Sequence, residues 1–289
     1  MVPRPGTPLT PVTGWRLVDR LVAGYGLVIA AVALARLDQR GVGWVLGAHL
    51  ALPLVAWLAA RARPHGLGRV LHAAYPVLLL PALYASIDML NGFGALPTLD
   101  APLLALEEAV FGMQPARDWW RASPSVFWST VLHAVYFSYY IIVPLPVVVF
   151  LATGRHDAVA PYLGGVIGVF LLCYLTYVFF PVAGPYYEFE RPTGEFVANG
   201  PARMVYGALA SGSAYGAAFP SSHVAATMAA TIGAWRAMPR LGWVLLVPTL
   251  LLAVGVVYCQ MHYVIDSVAG LAIGALVPIA MARVRRLTP

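Results

Sequence analysis

The chain of 289 residues is strongly apolar, with 60% hydrophobic residues and only 10% charged ones. These proportions exclude an ordinary soluble globular domain and indicate a polytopic membrane protein. The formal net charge of +6 comes from arginine, because the 18 basic residues include no lysine. The arginines lie at the ends of apolar runs and form no basic stripe with interleaved aromatic residues, so we expect no nucleic-acid partner.

Eight apolar runs are long enough to cross a bilayer, which takes about 20 helical residues per pass. They predict an all-α fold, a polytopic integral membrane bundle of about eight transmembrane helices. We expect an N-terminal two-helix membrane segment (1–68) followed by a membrane core (69–289). Ala33-Leu34-Ala35 also fits a signal-peptidase site, which leaves cleavage of the first helix as an alternative. The predicted spans are residues 17–35, 42–60, 70–90, 126–152, 158–181, 221–235, 241–258 and 263–282.

The distribution of charge between the spans predicts the orientation of the bundle. Arginines gather at the turns on one side, and most acidic residues lie on the other. The positive-inside rule then places both termini in the cytoplasm. We expect a multi-pass protein of the plasma (inner) membrane whose histidine site faces outward, toward a periplasm where there is one. The arginines that decide this are Arg16, Arg20, Arg61, Arg155, Arg236, Arg240 and Arg283.

Two segments outside the spans look organised. Residues 96–121 combine leucines and acids at roughly helical spacing and end in Trp119-Trp120, which predicts a helix lying in the outer interface, with a plain amphipathic connector as the alternative. Residues 181–219 are rich in Gly, Pro, Ser and Tyr and lead directly into a histidine. This loop could fold over a lipid headgroup, because loops carry function when a rigid scaffold positions them.

Two histidines are predicted to meet at the outward face. Two spans and a tight turn separate His223 from His262, so a chain that crosses and returns brings both imidazoles to the same side. The other histidines lack comparable partners in the sequence, and we expect packing or interface roles for them. His133 is the exception to watch, since it lies early in a span that begins on the same face and precedes Tyr136.

The residues around these histidines point to phosphate chemistry. The start of the helix at Ser221 and Ser222 offers backbone amides and hydroxyls to a phosphate, and His223 beside it could protonate a leaving alkoxide. His262 and Asp266 are four residues apart, hence on one helix face. The carboxylate can hold one ring nitrogen protonated and leave the other free for in-line attack on phosphorus.

Each motif alone has an ordinary structural explanation. A Ser-Ser-His sequence can simply cap a helix, and a His-x-x-x-Asp spacing occurs by chance on many helices. Their conjunction favours function, because ionisable residues in a bilayer are costly.

These motifs resemble those of a known family. Residues 219–223 (FPSSH) and 258–266 (YCQMHYVID), followed by 267–270 (SVAG), are similar to the second and third motifs of the type 2 phosphatidic acid phosphatase superfamily. Residues 99–115 and 180–185 resemble the branch of inositol phosphorylceramide synthases and their bacterial relatives. The resemblance covers roughly residues 96 to 282 and implies a six-helix phosphatase-like core.

The resemblance implies a mechanism. His262 would be the nucleophile that forms a phosphohistidine, Asp266 its orienting partner and His223 the acid for the leaving group, with no metal and no cofactor. In the first motif, Arg191 matches but Gly184 replaces the family's lysine. In the third, Val256 stands where an arginine is expected. These departures favour the synthase-like branch and leave four candidates for holding the phosphate: Arg191, Ser221, Ser222 and Arg203.

The sequence therefore predicts a lipid phosphotransferase or phosphatase that breaks a lipid phosphoester at the outer face. The acceptor would be water or an alcohol of inositol or lipid type. Two rival classes stay open. A metal-dependent membrane hydrolase could use His223, His262 and Asp266 as ligands. A non-catalytic lipid transporter or binding protein could use the same residues as a substrate path.

Overall fold

The computed structural model describes residues 15–61 and 66–287. Within these ranges the fold is all-helical and contains no β-strand, which confirms the predicted fold class. The α-helices, in chain order, are α1 (Leu17–Ala35), α2 (Val42–Ala60), α3 (Gly66–Leu90), α4 (Asp100–Phe111), α5 (Pro115–Ala122), α6 (Val126–Phe137), α7 (Tyr139–Ile142), α8 (Leu145–Ala152), α9 (His156–Phe179), α10 (Pro185–Glu188), α11 (Gly200–Gly212), α12 (Ser222–Ala237), α13 (Pro239–Tyr258) and α14 (Val264–Leu287).

Six helices in the described residues are long and apolar enough to cross a membrane. They confirm six of the eight predicted spans, and the protein is a polytopic membrane protein. These helices are Leu17–Ala35, Val42–Ala60, His72–Leu90, His156–Phe179, Pro239–Tyr258 and Val264–Val284.

The other two predicted spans differ from the prediction in separate ways: the run 126–152 is long and apolar enough only as a bent pair of helices, and the run 221–235 is too short. The run 126–152 is not one straight helix but a pair bent by 46° between Ile142 and Leu145, where Pro144 lacks the amide that a continuous helix needs. The run 221–235 becomes α12, which has only 16 residues. At 1.5 Å per residue α12 is about 24 Å long, less than the roughly 30 Å hydrocarbon thickness. It is enclosed by α9, α13 and α14, so it lies inside the bundle.

Hydrogen bonds between turns define the two ends of the bundle. At one end, the Arg155 guanidinium donates to the carbonyl of Ala237 at 2.9 Å, which joins the turn before α9 to the turn after α12. At the other end, the Tyr258 hydroxyl donates to the carbonyl of Ser123 at 2.7 Å. The arginine-bearing turns around residues 155 and 236–240 therefore share one end, and the turn that precedes His262 lies at the opposite end.

Both connecting segments differ from what the sequence suggested. Residues 96–121 form two helices, α4 and α5, interrupted at 112–114, rather than one. The predicted loop 181–219 contains the 13-residue helix α11. The Asn199 side chain caps α11 by accepting from the amide of Ala202 at 2.9 Å, and Pro201 occupies the first turn.

The N-terminal helices pack onto the rest of the bundle. Ile29 of α1, Val166 of α9 and Ala226 of α12 belong to one contiguous buried cluster. The buried Asp19 carboxylate adds polar contacts to α3, since it lies 3.1 Å from Nε2 of His72 and accepts from the Tyr75 hydroxyl at 2.8 Å. The division between residues 68 and 69 stays a prediction, and residues 62–65 beside it lie outside the described residues.

Candidate active site

The first turns of α12 and α14 are joined directly. The Ser221 amide donates to the Asp266 carbonyl at 3.0 Å. Close packing continues along the pair, because a Cβ at Gly274 would lie 2.3 Å from the Ala225 carbonyl oxygen, and only glycine permits that approach. The two helices that follow the predicted motifs are thereby held side by side at their N-terminal ends.

His262 lies in the turn before α14, not on the helix as its spacing suggested. Its amide and that of Met261 both donate to the carbonyl of Val256, at 2.9 and 2.8 Å, and the helix begins at Val264. Asp266 of the first turn reaches back into this turn. Its Oδ2 accepts from the Tyr263 amide at 2.8 Å and lies 3.3 Å from Nδ1 of His262. The predicted His–Asp pair is therefore present, through a turn rather than a continuous helical face.

One cavity contains both predicted histidines. His223, from α12, and His262, from the turn before α14, line it together. Aromatic and small residues form the rest of its wall: Tyr84, Tyr136, Ala183, Tyr186, Tyr187, Leu209, Ser213, Ala214, Ala217, Ala218, Ser222 and Met261. Asp266 is fully buried behind His262. Two imidazoles, one of them beside a buried carboxylate, are thus collected around one space.

The start of α12 offers less to a phosphate than the sequence suggested. The Ser221 hydroxyl caps the helix by accepting from the Val224 amide at 3.5 Å. The Ser222 amide already donates to the Tyr177 hydroxyl at 3.1 Å. Among the groups proposed for this helix end, the Ser221 hydroxyl and the amides of Ser221 and Ser222 therefore have protein partners, while Ser222 itself does line the cavity.

The two arginines proposed to hold the phosphate differ in placement. The Arg191 guanidinium lies over the ring of Tyr186, with 4.2 Å between its central carbon and the ring centroid, and Tyr186 lines the cavity. Arg203 is exposed on α11 and donates to the Ala198 carbonyl at 2.6 Å, away from the cavity wall. Arg191 is the better placed of the two for an anion at the cavity.

Gly184 explains why the first motif lacks its lysine. Its φ is +85°, a left-handed value that favours glycine, and a Cβ there would lie 2.6 Å from the Cβ of Ala218. The Gly184 amide is in turn fixed by the Asp100 carboxylate at 2.8 Å. No side chain can replace this glycine without moving the neighbouring wall of the cavity.

Two buried acids of α4 support the site from outside. Asp100 accepts from the amides of Ala183 and Gly184, both at 2.8 Å, and from the Tyr263 hydroxyl at 2.9 Å. Glu107, two turns further on, accepts from the amide of Ile265 at 3.2 Å. Burial raises the pKa of the Glu107 carboxyl above its ordinary value. One face of α4 therefore holds the loop of the first motif, Tyr263 next to His262, and Ile265 next to Asp266.

Gln260 was not singled out from the sequence, although it connects three segments near His262. Its Oε1 accepts from the indole of Trp120 at 2.9 Å, and its Nε2 donates to the Glu190 carbonyl at 3.0 Å. Gln260 also has a positive φ of 56°, which is uncommon for a residue other than glycine. It joins α5, the segment before Arg191 and the turn that carries His262.

His133, noted as an exception in the sequence, does not line the cavity. It is fully buried, with Nδ1 at 2.7 Å from the Ser129 carbonyl oxygen. Instead, Tyr136, one helical turn further on, reaches the cavity. The sequence shows that His133 and Tyr136 lie three residues apart on α6. It does not show which of the two side chains points into the cavity.

Comparison with family models gives one match. A model described as the PAP2 superfamily covers residues 101–280, more than half of the chain. The chain belongs to this superfamily. Comparisons with curated proteins and with solved structures returned no significant match.

PAP2 membership confirms the superfamily resemblance of the motifs, and it indicates an activity of the phosphatase or phosphotransferase type. The matched region extends from the first turn of α4 into α14 and includes both histidines. The region that the family model covers therefore supplies every cavity-lining residue except Tyr84.

The metal-dependent alternative needs a group of ligands that the described residues do not offer. Across residues 15–61 and 66–287, no three His, Cys, Asp or Glu side chains are grouped as candidate metal ligands. Asp266 instead directs Oδ2 at Nδ1 of His262 and at a backbone amide. No specific observation favours the transporter alternative either.

Proposed function

We propose that this PAP2 superfamily member is a membrane-embedded lipid phosphotransferase or phosphatase that acts through a phosphohistidine on His262. The observation that supports this most is the cavity shared by His223 and His262, with Asp266 beside Nδ1 of His262. A nucleophile held by a carboxylate and a second group able to supply a proton are the two elements that phosphoester cleavage needs.

The proposed reaction has two halves. In the first, Nε2 of His262 attacks the phosphorus of a lipid phosphoester, the bond to the leaving oxygen breaks, and His223 gives that oxygen its proton. Asp266 stabilises the positive charge that develops on the His262 ring. In the second, water or an alcohol gives a proton to His223 while its oxygen takes the phosphorus from His262. Both histidines then return to their starting state.

We further propose that the chain is related to the inositol phosphorylceramide synthase-like branch. Two positions support this. Gly184 cannot carry the lysine of a plain phosphatase, and the side chain of Val256, where an arginine would be expected, is fully buried inside the bundle. The acceptor in that branch would be an alcohol of inositol or lipid type.

We propose that the cavity faces outward across the plasma membrane and that the termini are cytoplasmic. The support is the arginine distribution, read with the positive-inside rule. The shared end of the turns at Arg155 and Ala237, opposite the turn before His262, is compatible with that orientation.

The proposal is tested by product analysis. Purified protein in detergent is incubated with labelled phosphatidic acid, phosphatidylinositol or isoprenyl diphosphate, with and without inositol, in chelator. We expect turnover of at least one donor in chelator, with an inositol-dependent product if the acceptor is an alcohol. Activity that appears only with added divalent metal would contradict the phosphohistidine route.

A second experiment concerns the phosphate-binding arginine. We expect Arg191→Lys to lose most activity while the protein stays folded, because a lysine cannot reproduce the two parallel hydrogen bonds of a guanidinium to a phosphate. The matched variant is Arg203→Lys, at an exposed position whose guanidinium bonds to its own chain. If turnover falls in Arg203→Lys and not in Arg191→Lys, the role belongs to Arg203.

A further inference from the structure

We infer that Tyr136 is a positioning residue for His223, and that its hydroxyl supports this imidazole both before and after it gives up a proton. The inference rests on the proposed function, in which His223 is the acid for the leaving group. The Tyr136 hydroxyl lies 3.4 Å from Nε2 of His223. Both side chains line the cavity.

The rings are arranged as closely as the polar atoms. The Tyr136 ring is stacked on His223, with centroids 4.8 Å apart and an angle of 28° between the planes. The centroid of the Tyr139 ring lies 4.5 Å from the centroid of the same imidazole. One stacked and one tilted aromatic ring thus flank the imidazole and fix the plane of His223 within the bundle.

The two histidines of the cavity have chemically different partners. His262 has the carboxylate of Asp266 at Nδ1. His223 has a neutral phenol, and among the described residues Tyr136 is the only hydrogen-bond partner of its ring. A carboxylate suits a nucleophile that becomes positively charged. A neutral partner suits an acid, because a carboxylate beside it would oppose the loss of the proton.

A hydroxyl also matches the change that an acid undergoes. The single Nε2–H of the charged ring points to the leaving oxygen, with the Tyr136 oxygen at 3.4 Å as a second, longer acceptor, and the same hydroxyl can donate to the bare Nε2 after the proton has left. The proton itself passes from Nε2 to the leaving oxygen, and the incoming alcohol or water returns one. Tyr136 neither gains nor loses a proton in this cycle.

The test compares two rates within each variant. One substrate is an activated aryl phosphate, whose phenolate leaves without needing a proton. The other is a lipid phosphate ester, whose alkoxide needs one. For Tyr136→Phe we expect the ratio of lipid to aryl turnover to fall about tenfold or more, in kcat rather than KM, since general acids contribute about 10²- to 10⁴-fold. The ratio does not depend on how much protein is folded, so a partly unfolded variant still reports.

Three variants complete the design. Tyr140→Phe, one residue beyond the second flanking ring and exposed, should keep the wild-type ratio. Tyr139→Phe should keep it too, and an equal fall there would overturn the assignment to the Tyr136 hydroxyl. His223→Ala tests the acid itself. If its ratio does not fall, the proposed function fails. If its ratio falls while that of Tyr136→Phe is unchanged, the inference on Tyr136 alone is wrong.

Discussion

Replacing His262 with alanine is expected to abolish the covalent intermediate and to reduce turnover to background. The His262 imidazole is paired with the buried carboxylate of Asp266, whereas the other imidazole of the cavity, that of His223, has no carboxylate partner. The measurement is the trapping of acid-labile phosphohistidine after brief incubation with labelled lipid phosphate, alongside steady-state turnover. A normal amount of adduct in His262→Ala would show that another residue is the nucleophile.

Two further variants separate the roles around His262. Asp266→Asn should still form the adduct but on the order of 10³-fold more slowly, because an amide neither orients the imidazole correctly nor stabilises its positive charge. For His223→Ala, turnover of a lipid ester should fall about 10²- to 10⁴-fold. Turnover of an activated aryl phosphate should fall much less, because its phenolate leaves without needing a proton. Equal losses on both substrates would remove His223 from the acid role.

The second large effect is expected at Asp100, outside the cavity. Asp100→Ala leaves the amides of Ala183 and Gly184 and the hydroxyl of Tyr263 without their acceptor. Each unsatisfied buried group costs about 1–3 kcal/mol. We therefore expect the free energy of unfolding to fall by at least about 2 kcal/mol and activity to be lost with it. Thermal unfolding in detergent measures the first, and turnover measures the second.

Asp118→Ala is the matched control for this variant. Asp118 lies on α5, where its carboxylate pairs with the exposed Arg117 at 2.6 Å and accepts from the Gln114 amide at 3.0 Å. An exposed ion pair contributes about 0–1 kcal/mol and a bond at a helix start about 1 kcal/mol, so the unfolding midpoint should move less than in Asp100→Ala. If Asp100→Ala unfolds at the same temperature as Asp118→Ala, the carboxylate is not what holds the first-motif loop against the turn of His262.

The sequence was sufficient to predict the fold class and most spans, because hydropathy over about 20 residues reports directly on bilayer crossing. It failed where a helix is short or broken. α12 is only 16 residues long, and its length depends on the cap at Ser221 and on the end at Ala237. The bend near Pro144 was readable in principle, but hydropathy does not respond to the loss of a backbone donor.

The meeting of His223, His262 and Asp266 was predictable because their spacing and the two passes between the histidines fix which ends come together. The residues that support them were not. Tyr136 and Gln260 act through side-chain directions and contacts across more than 80 residues of chain, and local periodicity carries no information on those. The presence of a partner for the Ser222 amide likewise depends on a tyrosine from a distant helix.

The contact between Gly184 and Ala218 has a consequence for how sequences of this kind diverge. A lysine at residue 184 must overcome both a φ of +85° and a Cβ separation of 2.6 Å from Ala218, so a single substitution from glycine produces a damaged cavity wall before it produces a new cation. A lysine at residue 184 therefore requires a compensating change in the segment of Ala218, so the two positions are constrained as a pair rather than one at a time.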